Sequence, residues 1–427
     1  MTEMMLAILA VWLVILLLGV PIFASLGLAA TAFVYLGGFP GIVIPQKVAQ
    51  AANSFPLLAA PFFILMGNLM NSAGITERIF TFAKVCVGWW RGGLCHANIL
   101  ASVIFSGISG SAVADAAGLG TVEIKAMKDA GYDVDTAAGV TAASATIGPI
   151  LPPSLPMVIY AVVAEASLGG LFLGAVIPGF LMAACMMVLV WRLAKKRDMP
   201  REPVPSLREV GVAFYRAFWA IVAPVLLIGG MISGMFTPTE AAAVSAFYAM
   251  VLGFAYRDLK LADLPRIFLD TVETTGVVMA IVMGAVLFGW ALAVSRFPQA
   301  VGGAVIGLST DPLVILLIVN VLLLIVGCFM EAIGAMLILI PILTPIAMQV
   351  GIDPIHFGNV FVFNLMIGTI LPPVGIVLFV VAKVAGISVE RVTKATAPYL
   401  LPLIATLAMI TFWPPLTTWL PDLVFGR

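Results

Sequence analysis

Two short stretches of this chain are nearly the same, and each interrupts an apolar segment where a regular helix is expected. One is Ile147-Gly148-Pro149-Ile150-Leu151-Pro152-Pro153 and the other is Ile367-Gly368-Thr369-Ile370-Leu371-Pro372-Pro373; six of the seven positions match, 220 residues apart. Paired prolines break a helix because proline lacks an N–H and its ring clashes with the preceding turn. In lipid a freed backbone carbonyl is costly, so a broken helix survives only against protein or a polar cavity. Gly/Pro-interrupted segments at matching positions of two halves are the sequence mark of a membrane carrier's binding site.

The lipid setting follows from composition. Of 427 residues, 62% are hydrophobic and 10% charged, against about 25% charged in soluble domains. The formal net charge is zero, so there is no basic footprint for nucleic acid. Cys86, Cys95, Cys185 and Cys328 are scattered in apolar stretches and read as small buried hydrophobes. The two histidines, His96 and His356, have no second ligand nearby in sequence. The N-terminus is apolar from Met4 with no Lys or Arg before it, so it reads as a retained first helix rather than a secretory signal.

Taken in order, Met4 to Gln46 holds two spans and Val48 to Thr76 a third. A basic connection follows at Glu77, Arg78, Lys84 and Arg91. Leu94 to Val122 is apolar around Ser106-Gly107-Ile108-Ser109-Gly110-Ser111, with Asp115 beyond. Thr136 to Ala164 is the first broken helix, and Ala166 to Trp191 is another span. Residues 192–216 carry seven basic side chains against three acidic, with Pro200, Pro203 and Pro205. This stretch reads as a cytoplasmic linker under the positive-inside rule. Pro312 to Ile352 holds one acid, Glu331, between Gly327 and Gly334; Pro354 to Ala382 is the second broken helix.

The offset of 220 extends to Gly107 and Gly327, Asp133 and Asp353, and Pro178 and Pro398. This is an internal duplication. Read as a hairpin that enters and leaves on one side, Leu94–Val122 adds no net crossing. The first half then crosses an odd number of times and the second is inverted. The resulting division is residues 1–191 as first repeat, 192–216 as linker and 217–427 as second repeat. Residues 94–164 and 312–383 would form a transport domain, with a scaffold from the remaining helices. The fold class is an all-α polytopic membrane protein of two inverted repeats, each with a re-entrant helical hairpin and a broken transmembrane helix.

The candidate site residues gather at hairpin tips and breaks. They are Ser106, Gly107, Ser109, Gly110 and Ser111 at the first tip, and Thr146, Gly148, Pro149, Pro152 and Ser154 at the first break. In the second half they are Gly327, Glu331, Gly368, Thr369 and Pro372. Thr141, Ser144 and Asn364 flank the breaks. Unwound carbonyls and hydroxyls suit Na⁺, which is placed near Ser106, Gly148, Gly327 and Gly368. Half-helix N-termini suit a carboxylate. No Lys or Arg lies within either broken helix as bounded here. Small residues also serve helix packing, and Asp115 and Glu331 could be intramembrane functional acids or hairpin caps. Glu240, in Thr237-Pro238-Thr239-Glu240, reads as a helix start.

With these runs, and with Pro61-Phe62-Phe63-Ile64-Leu65-Met66-Gly67-Asn68, the chain resembles the large, DctM-like membrane subunit of tripartite ATP-independent periplasmic (TRAP) transporters over essentially its whole length. The resemblance implies an elevator-type secondary transporter of the bacterial inner membrane. It implies import of an organic-acid anion, a C4-dicarboxylate or a sugar acid, driven by a Na⁺ gradient and without organic cofactor. It also implies two partners: a periplasmic substrate-binding protein and a small four-helix membrane subunit. Because the chain starts at the first helix of the large subunit, that small subunit is expected as a separate polypeptide.

Three other readings compete. A stand-alone Na⁺- or H⁺-coupled anion transporter would need no binding protein. An intramembrane enzyme would need a His pair, a Ser–His or Ser–Lys set, or an Asp pair at helical spacing. The nearest set, Asp129, Asp133 and Asp135, lies in a solvated loop. A passive channel is disfavoured because no charged ring lines a pore.

Overall fold

The computed structural model describes residues 1–307 and 309–426. The side chains of Leu17, Pro56, Ile108, Ser109, Ala304, Val305 and Ile306 lie outside that description. The first half opens with α1 (Thr2–Leu17), α2 (Ile22–Leu36), the short α3 (Val43–Ala52), α4 (Ala59–Ser72) and α5 (Ile75–Val87). The first hairpin is α6 (Gly93–Ser109) returning through α7 (Ala112–Ala117) and α8 (Leu119–Asp129). The first broken helix is α9 (Val134–Ser144) and α10 (Leu155–Val163), and α11 (Leu168–Arg197) closes the half.

The second half repeats this plan. It runs α12 (Leu207–Ile232), α13 (Pro238–Ala255), α14 (Leu264–Val294) and α15 (Phe297–Ile306), then the hairpin α16 (Pro312–Phe329) and α17 (Ala332–Gln349). The broken helix α18 (Pro354–Gly368) and α19 (Ile376–Ala385) follows, then α20 (Val389–Phe412) and α21 (Pro415–Phe425). The expected all-α architecture with two hairpins and two broken helices is present.

Local sequence sets the helix starts. Asp311 and Asp353 each precede a proline, and their carboxylates accept from Leu313 N (2.8 Å) and from Ile355 N and His356 N (2.8 and 3.0 Å). Proline at the first helical position surrenders an N–H that had no helical partner anyway. Thr237 and Glu240 form the reciprocal cap that Thr237-Pro238-Thr239-Glu240 announces, and Ser206 and Glu209 form another. The bonds that Glu209 accepts from Ser206 hold its carboxyl below the usual carboxylate range.

Some boundaries differ from expectation. The basic connection 77–91 is largely a helix, α5, whose charged residues sit on one face: Ile75, Ile79, Phe80, Ala83 and Val87 are buried, whereas Glu77 is exposed. The linker 192–216 is mostly helical too, because α11 runs to Arg197 and α12 starts at Leu207. Only residues 198–206 lie outside helices there. The second broken helix extends past Ala382 to Ala385 and so takes in Lys383, which is exposed in its last turn, away from the break.

Ties between distant segments fix which ends share a side. Pro200 O accepts from Gly92 N (3.1 Å) and from the Tyr132 hydroxyl (2.7 Å). Both ends of the first hairpin therefore meet at the linker, so it does not cross. Asp311 and Asp353, at the two ends of the second hairpin, line one cavity with Pro414 and Thr418. Ion pairs join Arg78 to Asp258, Lys84 to Glu202 and Arg391 to Asp135. The Thr2 hydroxyl donates to Ser295 O (3.0 Å) and the Thr239 hydroxyl to Phe55 O (2.9 Å). Each tie joins ends that the crossing count puts on one side, and the two halves run in opposite directions.

The halves interleave. α10 packs on α17 and α18, while α19 packs on α7, α8 and α9. Each broken helix thus sends its second half against the other repeat's hairpin. α11 and α20, which the sequence division assigns to the scaffold, pack on α18, α6 and α10 and on α9, α18 and α19. α4 also packs on α13 and α14, α2 and α3 pack on α14, and α5 packs on α12 and on the hairpin arm α6.

The crossing count has a direct check. In a cysteine-less background, Thr310→Cys and Asp422→Cys should react with an impermeant maleimide added to spheroplasts. Ser206→Cys and Lys394→Cys should react only after the membrane is opened. Reaction of all four from one side would refute the inverted arrangement.

Candidate functional site

The second hairpin and second break meet backbone to backbone. A Cβ on Gly368 would lie 2.6 Å from Gly327 Cα, and one on Gly327 would lie 2.9 Å from Gly368 Cα. Only two glycines allow this approach. Across it, Val374 N donates to Cys328 O (3.1 Å), so the break borrows an acceptor from the hairpin. Within the break, Val377 N donates to Thr369 O (3.2 Å) and the Thr369 hydroxyl donates to Met366 O (2.6 Å). Glu331 caps α17, its carboxylate accepting from Gly334 N (3.0 Å). Pro372 is exposed and Gly375 is buried.

The first junction is built differently. Its break satisfies itself: the Ser154 hydroxyl donates to Pro149 O while its oxygen accepts from Met157 N (3.2 Å). The Thr146 hydroxyl donates to Ala143 O (2.6 Å). The hairpin turns at Gly110, in the left-handed region at φ 59°, and a Cβ there would lie 2.8 Å from Pro153 O. Ser111 caps α7 by accepting from Ala114 N (3.4 Å). Asp115 lays its carboxylate on Gly148, where a Cβ would meet Oδ2 at 1.9 Å. Gly148, Pro149, Pro152 and Ser154 are all buried. Both Pro-Pro bonds, Pro152-Pro153 and Pro372-Pro373, are cis.

The expected site residues therefore fall into three groups. Gly110, Gly148, Ser154, Gly327, Gly368 and Thr369 are at the junctions, with Pro149, Pro152 and Pro372 in the breaks. Ser106 and Gly107 are one turn back inside α6, where the Ser106 hydroxyl donates to Val103 O (2.6 Å). Gly107 does not face Gly148 as Gly327 faces Gly368; its missing Cβ would meet Pro224 of α12 at 2.2 Å. The side chain of Ser109 lies outside the described residues. Glu331 matches Ser111 across the 220-residue offset, not Asp115, and both are N-caps.

The sequence reading missed a second layer. Asn98 on α6 donates through Nδ2 to Glu123 Oε2 and Thr141 Oγ1 (2.7 Å each) and accepts from the Ser144 hydroxyl (2.6 Å). In the second half Asn364 donates to Asn320 Oδ1 (2.9 Å), and Asn320 donates to Thr411 (2.8 Å). Ser144 and Asn364 are matched by the repeat, and each ties its broken helix to the first arm of its hairpin. The signal was present in part: Asn98 and Asn320 are two positions off register, and Glu123 stands one residue past the assigned end of Leu94–Val122.

The chain matches the family model described as the tripartite ATP-independent periplasmic transporter DctM component over residues 9–416. It is 48% identical over 97% of its length to the sialic acid TRAP transporter large permease SiaM of Vibrio cholerae, covering 98% of that protein. It is 44% identical over 97% of its length to the sialic acid permease SiaT of Haemophilus influenzae, covering 68% of it. It is 41% identical to the C4-dicarboxylate large permease DctM of Pseudomonas aeruginosa, with 88% of each chain covered. In fold it is similar to the YdaH transporter of Alcanivorax borkumensis, with a TM-score of 0.67, 15% identity and 88% of each chain covered. The relatives described here are named as transporters or permeases, in line with a protein that is not an enzyme.

The glycine contact is open to test by thermal unfolding. Gly368→Ala should overpack the junction and cost about 1–3 kcal/mol, lowering the melting temperature. Gly211→Ala, where nothing lies within 4 Å, should leave it unchanged. Equal melting temperatures for both variants would show that the junction is loose.

Proposed function

Because the chain belongs to the DctM family of tripartite ATP-independent periplasmic transporters, we propose that it carries an organic-acid anion into the cytoplasm with Na⁺, receiving it from a periplasmic binding protein. As a large permease of this class it is a multi-pass protein of the bacterial inner membrane. The observation that carries the proposal is the pair of junctions, in which each re-entrant hairpin closes on a helix break. There, carbonyls and hydroxyls lie beside half-helix ends inside apolar surroundings.

Na⁺ takes oxygen ligands, and the residues around Gly327 and Gly368, and around Ser106 and Gly148, offer backbone carbonyls and hydroxyls. An anion is favoured at uncapped helix N-termini. Glu331 already occupies the start of α17, so the second junction favours cation over anion. The membrane potential opposes anion entry by about 2.3 kcal/mol per charge per 100 mV. Two Na⁺ would cancel that for a dianion, and one Na⁺ would do so for a monoanion. One more in either case makes entry favourable.

The moving body in this proposal holds both hairpins, both broken helices, α11 and α20; the static one holds α1–α5 and α12–α15. Between them lie small or ring-flat contacts at Gly107 on Pro224, Gly334 on Ile22 and Gly289 beside Pro341, together with the broad α5–α6 face and Phe63 on Phe172. The small contacts let helices approach closely. A small membrane subunit completes the static body. A sugar acid such as sialic acid is the first substrate to try, since the sialic acid permeases are nearer in sequence than the dicarboxylate ones. A C4-dicarboxylate is the second.

Reconstitution in liposomes with the small subunit and a binding protein tests this. Uptake of sialic acid should need an inward Na⁺ gradient and fall at least about tenfold when choline replaces Na⁺. Uptake indifferent to Na⁺ would remove the coupling. Equal uptake of free anion without binding protein would favour a stand-alone transporter.

A further inference from the structure

Glu123 is a carboxylate sunk in the body that the two junctions share. It is 1% exposed, and Asn98, Thr141 and Ser144 around it are exposed by 1% or less. Its Oε2 accepts from Asn98 Nδ2, while its Oε1 has no hydrogen-bond partner among the described residues. A buried, ionised carboxylate is costly unless a cation or several donors compensate it.

Beyond Asn98 and the nearby Thr141 hydroxyl, no cation compensates it among the described residues. α8 packs on α5, α6, α7, α9 and α19. On these elements Arg78 is paired with Asp258, Lys84 with Glu202 and Asp135 with Arg391. Lys128 donates to Ala385 O, and Glu77, Lys125, Asp129 and Lys383 are exposed. His96 is buried against Trp90. The charged group that acts on Glu123 is another acid, Asp115. The second half shows that no carboxylate is needed to hold such a tie: Leu343 stands at the matching position, and neutral Asn320, Asn364 and Thr411 do the joining.

We propose that Glu123 is a proton-binding site confined to the first half, neutral while the first hairpin is packed on the first broken helix and ionised when it leaves. A proton fits better than a metal cation, because Asn98 turns its NH₂ toward the carboxyl, and an N–H repels a cation but suits a carboxyl oxygen. The Asn98 bonds run from the hairpin arm α6 to both α8 and α9, so displacing that arm strips Glu123 of its Asn98 donor and opens it to water. There the Oε1–H bond breaks and the proton passes to water, leaving the carboxylate. This deepens the transport reading and rests on it for its consequence: the cycle would carry a proton beside Na⁺.

Two measurements separate the site from the transport reading. Infrared spectra of the purified full chain at neutral pH should show a buried protonated-carboxyl band that Glu123→Gln lacks and Glu123→Asp shifts. This readout needs no transport. In liposomes holding the complete complex under a fixed Na⁺ gradient, the wild-type uptake rate should change by about tenfold between roughly pH 5.5 and 8.5. Glu123→Gln should still take up the anion, with a flat profile. If Glu123→Gln does not assemble, Glu123→Asp should retain a pH dependence with a displaced midpoint. An unchanged infrared band in the variants, or a flat wild-type profile, overturns the proposal. Absence of uptake by the wild type at every pH, with the band present, would instead sink the transport reading.

Discussion

A helix interrupted inside a membrane must satisfy its freed backbone groups from within the protein, and the whole architecture follows from how this chain does so twice. At the first break Ser154 supplies the bond to Pro149 O. At the second, where Val374 replaces that serine, Val377 N supplies the matching bond to Thr369 O, and the Val374 amide turns to Cys328 O on the hairpin. A break that depends on a hairpin needs the hairpin beside it, and the Gly327–Gly368 approach brings it there. Opening the second junction therefore costs backbone hydrogen bonding as well as packing. The first break keeps its own bond when its hairpin moves.

This inequality recurs across the pseudo-symmetry. The first break is buried and the second leaves Pro372 exposed. Ser111 and Glu331 share one capping position, one neutral and one acidic. Asp115 leans on Gly148, while Gly327 leans on Gly368. The duplication supplies the frame, and unlike side chains at matched positions give the halves different surroundings. On the proposed reading that difference lets one centre take a cation and an anion, since identical halves would present identical fields.

The repeat was legible because proline and glycine act through the backbone, and backbone constraints survive divergence of the surrounding apolar residues. Hairpin parity was legible from charge, because Arg78, Lys84 and Arg91 flank the first hairpin on the linker's side. Asp115, Ser144 and Asn364 could be seen in sequence, but not what they touch, since their partners lie on other elements. Ser106 and Gly107 were drawn to the tip by composition, although helix geometry carries α6 on to Ser109 before Gly110 releases it. The end of an apolar run hid Glu123, because a charge at a boundary reads as solvated. Helix α5 was hidden because its charges suggested a loop, whereas their spacing leaves a buried apolar face.

The claim that the hairpin–break junctions are the ion site is tested most directly by hydrogen exchange at the Val374 amide and its neighbours. With Na⁺ in place of choline, exchange across residues 369–377 and 327–334 should slow together, while the Ser206–Glu209 cap should not respond. Exchange at both segments that is indifferent to Na⁺ would contradict the account, because a cation held between them has to hold them closed.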